Sequence, residues 1–320
     1  MSINDICKAL KKYDNFLITV HAHPEGDALG SEIGFYRLIE KLGKKGVIIN
    51  EDKIPYGYDF ICPKGLIRLL NKDSKKFKFD CFVALDCADL DRTGDVYKLN
   101  KDKPVVNIDH HISNRRFGDV NWVDPQASSC SEMVYWLYKK LGVKIDKEAA
   151  LAIYTGIMTD TGSFRYSSTS SSTFEAASQL LKSGINTAEV YRKTYENIPL
   201  SDIRVLLKLL TKIKFYSQGK IACFQIRQET VKTVKLSIDL ADQLLNFGRL
   251  IKGVEVVVLL KESFGSKQVR VNLRSQGKVD VNKIASSFGG GGHKAASGMT
   301  LTGNIRKIEK EVIDKIRSFL

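Results

Sequence analysis

The chain has 320 residues, of which 43% are hydrophobic and 27% charged, and its formal net charge is +14. That length suits two domains rather than one, and the apolar fraction is that of a globular protein able to bury a core without disulfides. No apolar run approaches the roughly 20 residues that span a bilayer, and Met1-Ser2-Ile3-Asn4-Asp5 lacks the basic-then-apolar pattern of a signal peptide. The basic excess favours polyanionic partners such as nucleotides or nucleic acid. Much of it is lysine in short runs such as Lys44-Lys45 and Lys75-Lys76, which are usually solvated faces, so charge alone does not assign such a partner. The six cysteines include no CxxC pair, which excludes zinc-ribbon and thioredoxin-like readings and suits a reducing, cytoplasmic setting.

In chain order, a first helix starts near Ser2 or Asn4. Phe16–Val20 reads as a strand that ends in His21-Ala22-His23-Pro24-Glu25-Gly26-Asp27. A helix then runs to about Leu42, with Leu29, Ile33, Tyr36, Ile39 and Leu42 at helical spacing. Val47–Ile49 and Phe82–Leu85 are further strands, the latter ending in Asp86. Pro104–Ile108 is another, β-branched and uncharged, and it stops abruptly in Asp109-His110-His111. A helix with N-cap chemistry in Ser128–Glu132 runs to about Leu141, and another from about Lys147 to Met158 leads into Asp160-Thr161-Gly162-Ser163-Phe164. This alternation predicts an α/β fold: a parallel sheet with helices on both faces.

From Lys220 the pattern changes. Ile221–Ile226, Val254–Leu260 and Gln268–Leu273 read as strands, the last two joined by the turn Glu262-Ser263-Phe264-Gly265-Ser266. A helix over Val281–Phe288 precedes four glycines, and the final helix, Ile305–Phe319, puts Ile305, Ile308, Val312, Ile316 and Phe319 on one face. The expected organisation is a first domain over 1–190, a helical linker over 191–215 and a smaller mixed α+β domain over 216–320, with the active cleft between the domains.

Buried polar groups are costly without partners, so polar clusters at the tips of apolar strands call for an explanation. Four such tips stand out: His21/Glu25/Asp27, Asp86, Asp109/His110/His111 and Asp160. If the strands are parallel, their C-terminal ends share one sheet edge, where α/β ligand sites form. Mixed oxygen and imidazole ligands suit Mn²⁺, Fe²⁺, Co²⁺ or Zn²⁺. The ligands exceed what one ion needs, and two ions sharing a bridging aspartate account for them. Such a pair polarises a phosphoryl group and supplies a hydroxide nucleophile at neutral pH. In the second domain, a guanidinium at Arg274 can fork onto a phosphate. Gly289–Gly292 exposes backbone N–H groups to one, and His293 adds a titratable donor beside the loop.

These clusters resemble the signature of the DHH phosphoesterase superfamily. The matching motifs are His21-x-x-Pro24-Glu25-x-Asp27, Asp86, Asp109-His110-His111 and Asp160-Thr161-Gly162-x-Phe164, in that order. Val271-Asn272-Leu273-Arg274-Ser275 and Phe288-Gly289-Gly290-Gly291-Gly292-His293-x-x-Ala296-x-Gly298 are similar to the associated DHHA1 domain, so the resemblance covers nearly the whole chain. It implies two Mn²⁺ ions, one held by His21, Glu25 and Asp86, the other by Asp27, Asp86, His110 and Asp160, with Asp86 bridging. Where the motif usually has aspartate this chain has Glu25, one methylene longer and of the same charge. His23 occupies a variable position and is read as a non-ligand. The resemblance further implies that Asp109, His110 and His111 take part in catalysis, and that His111, Asn114, Arg274, Ser275, Gly291, Gly292 and His293 contact substrate.

The activity so implied is degradation of very short RNA to mononucleotides, with phosphatase action on 3′-phosphoadenosine 5′-phosphate (pAp). Hydrolysis of cyclic di-AMP or pApA uses the same scaffold and is the alternative. A nucleotide-binding sensor without catalysis would show a damaged ligand set, whereas every ligand position here holds a competent residue. An RNA-binding module driven by charge alone has no recognition motif to support it. A homodimer is admitted by the resemblance, with no interface legible in the sequence.

Overall fold

The computed structural model describes residues 2–231, 240–263 and 265–320. Met1 and Phe264, the latter within the turn expected over Glu262–Ser266, lie outside the described residues. The chain forms two compact units, Met1–Asn197 and Ile198–Leu320.

The first unit opens with α1 (Ile3–Lys12), closed at its start by a reciprocal capping box between Ser2 and Asp5. There follow β1 (Asn15–Thr19), α2 (Gly26–Lys41), β2 (Lys45–Asn50), β3 (Ile67–Leu69), β4 (Cys81–Leu85), β5 (Val105–Asp109) and β6 (Val120–Val123). Four helices complete it: α3 (Cys130–Leu141), α4 (Lys147–Asp160), α5 (Ser171–Leu181) and α6 (Thr187–Tyr195). The six strands are all parallel, in the order β3-β2-β1-β4-β5-β6. Central strands β4 and β5 are buried along their whole length, which is why they read as unbroken apolar runs.

One face of this sheet carries the larger core, where Phe16 and Ile18 meet Ile6, Phe35, Leu38, Val134 and Ile153 from the helices. The other face is covered by 3-10 segments over Lys72–Lys76 and Leu90–Leu99, with Val96 packed against Leu17, Phe82 and Ala84. α2 lies close against α4: a Cβ added at Gly30 would stand 2.5 Å from the Ala152 carbonyl. The strand order reverses between β1 and β4. Ligand crevices of open α/β sheets form outside the strand ends at such a switch point, and the polar tips of β1, β4 and β5 leave the sheet there.

The second unit begins with α7 (Leu200–Leu210), which lies within the stretch expected to be a linker. Its Val205, Leu206 and Leu209 are buried in one core with Phe224, Leu244 and Val257. The remaining elements are β7 (Lys214–Tyr216), β8 (Ile221–Ile226), α8 (Gln228–Val231), α9 (Leu240–Leu250), β9 (Val256–Glu262), β10 (Gln268–Ser275), α10 (Val281–Ser286), β11 (Gly291–Gly292), β12 (Ala296–Thr302) and α11 (Ile305–Arg317). Their sheet has the order β11-β12-β10-β9-β8-β7 and is mixed: β8 and β9 are parallel and the other pairs antiparallel. The apolar stripe of α11 packs Ile305, Ile308, Val312 and Ile316 on this sheet, while Phe319 falls beyond the helix end and is 37% exposed. Among the described residues no helix is long and apolar enough to cross a membrane.

Candidate metal centre

The register of the first sheet gathers the polar tips. Thr19 of β1 pairs with Ala84 of β4, and Leu85 of β4 with Ile108 of β5. The residues next in sequence, His21, Asp86, Asp109 and His110, therefore leave a common edge. Asp86 turns away from β4 with φ +55, a left-handed conformation that a non-glycine residue adopts at some cost and that is found at functional turns. Its amide donates to the Ile108 carbonyl at 3.0 Å, tying the turn to β5. α2 brings Asp27 in its first turn, and α4 brings Asp160 as its last residue.

Asp86 is only 1% exposed, yet neither carboxylate oxygen has a hydrogen-bond partner. Imidazole nitrogens face it at longer range: His21 Nε2 is 3.4 Å from Oδ2, while His110 Nε2 and His111 Nδ1 are 3.5 and 3.6 Å from Oδ1. His21 Nε2 is also 3.5 Å from Glu25 Oε1, and His110 Nε2 is 3.8 Å from Asp27 Oδ2 and 3.5 Å from Asp160 Oδ2. Atoms bound to one cation at about 2.1 Å stand roughly 3–3.5 Å apart, so these gaps suit shared ligation better than direct hydrogen bonding. One donor atom each from His21, Glu25 and Asp86 lies within 4.8 Å of the others, and the same holds for Asp27, His110 and Asp160, and for Asp86, Asp109 and His111. A buried carboxylate without a donor, ringed by nitrogen and oxygen ligands, fits divalent transition metals.

The electrostatics agree. Burial opposes charge on His21, but Asp86 and Glu25 outweigh it and hold the ring to about 10. His110 is driven the same way, against its burial, by Asp160 and Asp86. Burial and then the neighbouring Asp86 push Asp27 up to about 6. For Asp86 burial acts upward, and the facing rings of His110 and His21 carry its carboxyl well below the usual range. The protons held on these rings balance an excess of carboxylates that metal ions would otherwise neutralise.

The remaining tip residues form a support. Asp109, fully buried, meets His111 Nδ1 at 2.7 Å through Oδ1 and accepts from Asn114 Nδ2 at 2.6 Å through Oδ2. The Asn114 amide nitrogen also reaches the Cys87 carbonyl and Asn107 Oδ1, and its oxygen accepts from the Arg116 amide at 2.6 Å. Asn107, a buried polar residue within an apolar strand, is the sequence signal for this network. His23 is 74% exposed in its side chain and pairs with Asp52 at 3.0 Å, away from the cluster.

In the second unit, β10 sets Arg274 opposite Ala296 of β12, and β11 pairs Gly292 with Ser297 on the other side of β12. Arg274 is half-buried and donates to the Leu273 carbonyl at 3.2 Å and to Asp242 Oδ1 at 3.4 Å. Gly292 has φ +145, and a Cβ there would stand 2.5 Å from the Ala296 carbonyl, so the backbone passes where no other residue fits. The His293 amide donates to that same carbonyl at 2.7 Å. Ser275 follows Arg274 in β10, where successive residues point to opposite faces; it is buried, and its hydroxyl accepts from the Gly277 amide at 3.0 Å.

Residues 15–157 match the DHH family, N-terminal domain, and residues 209–320 match the DHHA1 domain. A bifunctional oligoribonuclease and PAP phosphatase NrnA from Thermus thermophilus is 31% identical, over 95% of this chain and 89% of its own length. The protein of the same name from Bacillus subtilis is 28% identical, over 93% of this chain and 92% of its own. The crystal structure of an exopolyphosphatase-related protein from Bacteroides fragilis superimposes with a TM-score of 0.86 at 28% identity, covering 99% of this chain and 94% of that one. The chain belongs to the DHH phosphoesterase family, metal-dependent hydrolases of phosphodiester and phosphate bonds, and carries the DHHA1 domain.

Proposed function

We propose that this chain hydrolyses very short RNA to mononucleotides and removes a phosphate from pAp, using two Mn²⁺ ions. The observation that carries this reading is the Asp86 carboxylate, buried, without a hydrogen-bond partner and faced by three imidazoles at 3.4–3.6 Å. The two relatives named for both activities, matched over most of their length, support the choice of substrate.

His21, Glu25 and Asp86 would hold one ion, and Asp27, Asp86, His110 and Asp160 the other. When bound, the ions draw charge from the phosphoryl group and make water nucleophilic at neutral pH. The protein's own part begins with Asp109, which engages His111 through Nδ1 and so leaves Nε2 to carry a proton toward the leaving oxygen. Asn114, bonded to Asp109, keeps that carboxylate from rotating. In the second unit, Arg274 supplies a guanidinium for a substrate phosphate, with the Gly291–Gly292 backbone and His293 one strand beyond β12.

The test is a product time-course with Mn²⁺ on an RNA dinucleotide, a five-nucleotide RNA, pAp, pApA and cyclic di-AMP. Mononucleotide from the dinucleotide together with AMP from pAp is the expected result. A preference of more than about tenfold in kcat/KM for pApA or cyclic di-AMP would transfer the protein to cyclic-dinucleotide turnover. No turnover of any member would overturn the reading.

A further inference from the structure

Asp27 is buried within α2, yet its carboxylate is held by another helix. Oδ2 accepts from the Cys130 amide at 2.7 Å and Oδ1 from the Ser131 amide at 2.8 Å. These are the first two residues of α3, whose opening amides have no partner within their own helix. Each oxygen of Asp27 thus has one lone pair fixed by backbone. That fixes where its remaining lone pairs point, toward His110 and Asp160.

The residue after this cradle in α3 is Glu132. Glu132 is 1% exposed, and its carboxylate accepts from five donors: the Ser128 amide and hydroxyl, Trp136 Nε1 at 3.2 Å, the Ser172 hydroxyl, and Thr173 Oγ1 at 3.0 Å. Its own amide donates to the N-cap Ser129 Oγ at 3.0 Å. Ser172 and Thr173 open α5, so this one carboxylate fastens the start of α3 to the start of α5. On the far side there is no slack. A Cβ added at Gly156 of α4 would stand 2.0 Å from Ser131 Oγ and 3.1 Å from Asp27 Oδ1. The start of α3 is therefore wedged against α4 and tied back by Glu132.

We infer that Glu132 is a positioning residue for the metal centre, acting through the Cys130 and Ser131 amides that aim the Asp27 carboxylate. The inference rests on the reading of Asp27 as a metal ligand. Glutamine at this position keeps the shape but presents an NH₂ group to hydroxyl and amide donors, so at least one donor is repelled and the α3 start is released.

The experiment is a Mn²⁺ titration of wild type, Glu132→Gln and Ser172→Ala, following free ion by electron paramagnetic resonance, with thermal unfolding of the same metal-free samples. Outer partners of metal ligands are worth about 10- to 100-fold in affinity, so folded Glu132→Gln should bind Mn²⁺ at least about tenfold more weakly, with turnover partly restored by excess Mn²⁺. Ser172→Ala removes one donor of five, leaves the α5 N-cap Ser170 in place, and should weaken Mn²⁺ binding in the same direction by about twofold or more. It decides the matter if Glu132→Gln does not fold. A purely structural Glu132 would lower the unfolding temperature and leave the Mn²⁺ affinity of folded protein unchanged in both variants, which would overturn the inference alone. Wild-type protein that bound no Mn²⁺ would remove Asp27 as a ligand, and with it both readings.

Discussion

The two units hold their candidate site residues in opposite ways. In the first, His21, Asp27, Asp86, Asp109 and His110 are each at most 5% exposed, and their polar atoms crowd within a few ångströms of one another. In the second, Arg274, Gly291, Gly292 and His293 are only half-buried, and two of the four offer nothing but backbone. In the first arrangement the charges stand close enough for each to shift its neighbours. The second presents a guanidinium, a ring and glycine backbone at partly exposed positions. A centre that must hold cations against solvent needs the first kind of construction. A grip that must take up and release a substrate phosphate is served by the second.

Breaking the first arrangement should have the larger effect. Asp86→Asn removes the carboxylate shared by the three imidazoles. Outer partners of a ligand already cost up to about 100-fold, so turnover should fall by more than that, with Mn²⁺ affinity falling alongside. Retention of a tenth of wild-type turnover would remove Asp86 from the centre. Breaking the second arrangement should separate binding from chemistry. Arg274→Ala gives up a charge-assisted hydrogen bond worth about 1.5–3 kcal/mol, and KM for pAp should rise roughly ten- to hundredfold while kcat changes little. A kcat loss at unchanged KM would place Arg274 with the reacting groups instead.

The same contrast governs what the sequence made legible. The first sheet was readable because strands buried on both faces are continuous apolar runs, and the carboxylates and imidazoles of the clusters stand at or just beyond strand ends. Its edge strands were not: β3 is three residues long, and β6, four residues with Asn121 inside, carries little periodicity. In the second sheet β12 is not legible from sequence, because Ala296-Ser297-Gly298 resembles a turn more than a strand and only pairing with β10 makes it one. The histidines and aspartates of the centre stood out by residue type and place. Asn114 and Ser275 did not reveal their orientation, since that is set by Asn107 across the loop and by the two-residue period of β10. The cradle under Asp27 was legible only as an N-cap, because its two donors are backbone amides about a hundred residues away in sequence.

Two buried glutamates sharpen the comparison at lower energies. Glu309 in the second unit is fully partnered: Lys214 Nζ donates to its two oxygens at 2.8 and 2.9 Å, and Tyr216 OH and Gln225 Nε2 also donate. Glu309→Gln should destabilise the fold by about 1–3 kcal/mol in chemical denaturation, since it leaves those donors facing an NH₂ group. A neutral result would mean that solvent replaces the lost charge, as half-exposed Lys214 permits.

Glu32 in the first unit should behave in the opposite way. It is fully buried on α2, accepts one hydrogen bond from Asn50 Nδ2 at 2.9 Å, and leaves Oε2 without a partner. Burial pushes its carboxyl from 4.5 to about 8, against the smaller pull of Asn50. The folded state therefore holds a proton that the unfolded chain has released. Between pH 4.5 and 8 the unfolded chain binds fewer protons, so this group makes stability fall as pH rises, by at most about 1.4 kcal/mol per unit. Glu32→Gln keeps the Asn50 bond available through its carbonyl and has no proton to lose. Relative to wild type it should gain little at pH 5 and roughly 1 kcal/mol or more at pH 8, read from urea midpoints on metal-free protein. An equal difference at both pH values would show that the wild-type carboxyl does not stay protonated in the fold, and that water or a cation reaches its second oxygen.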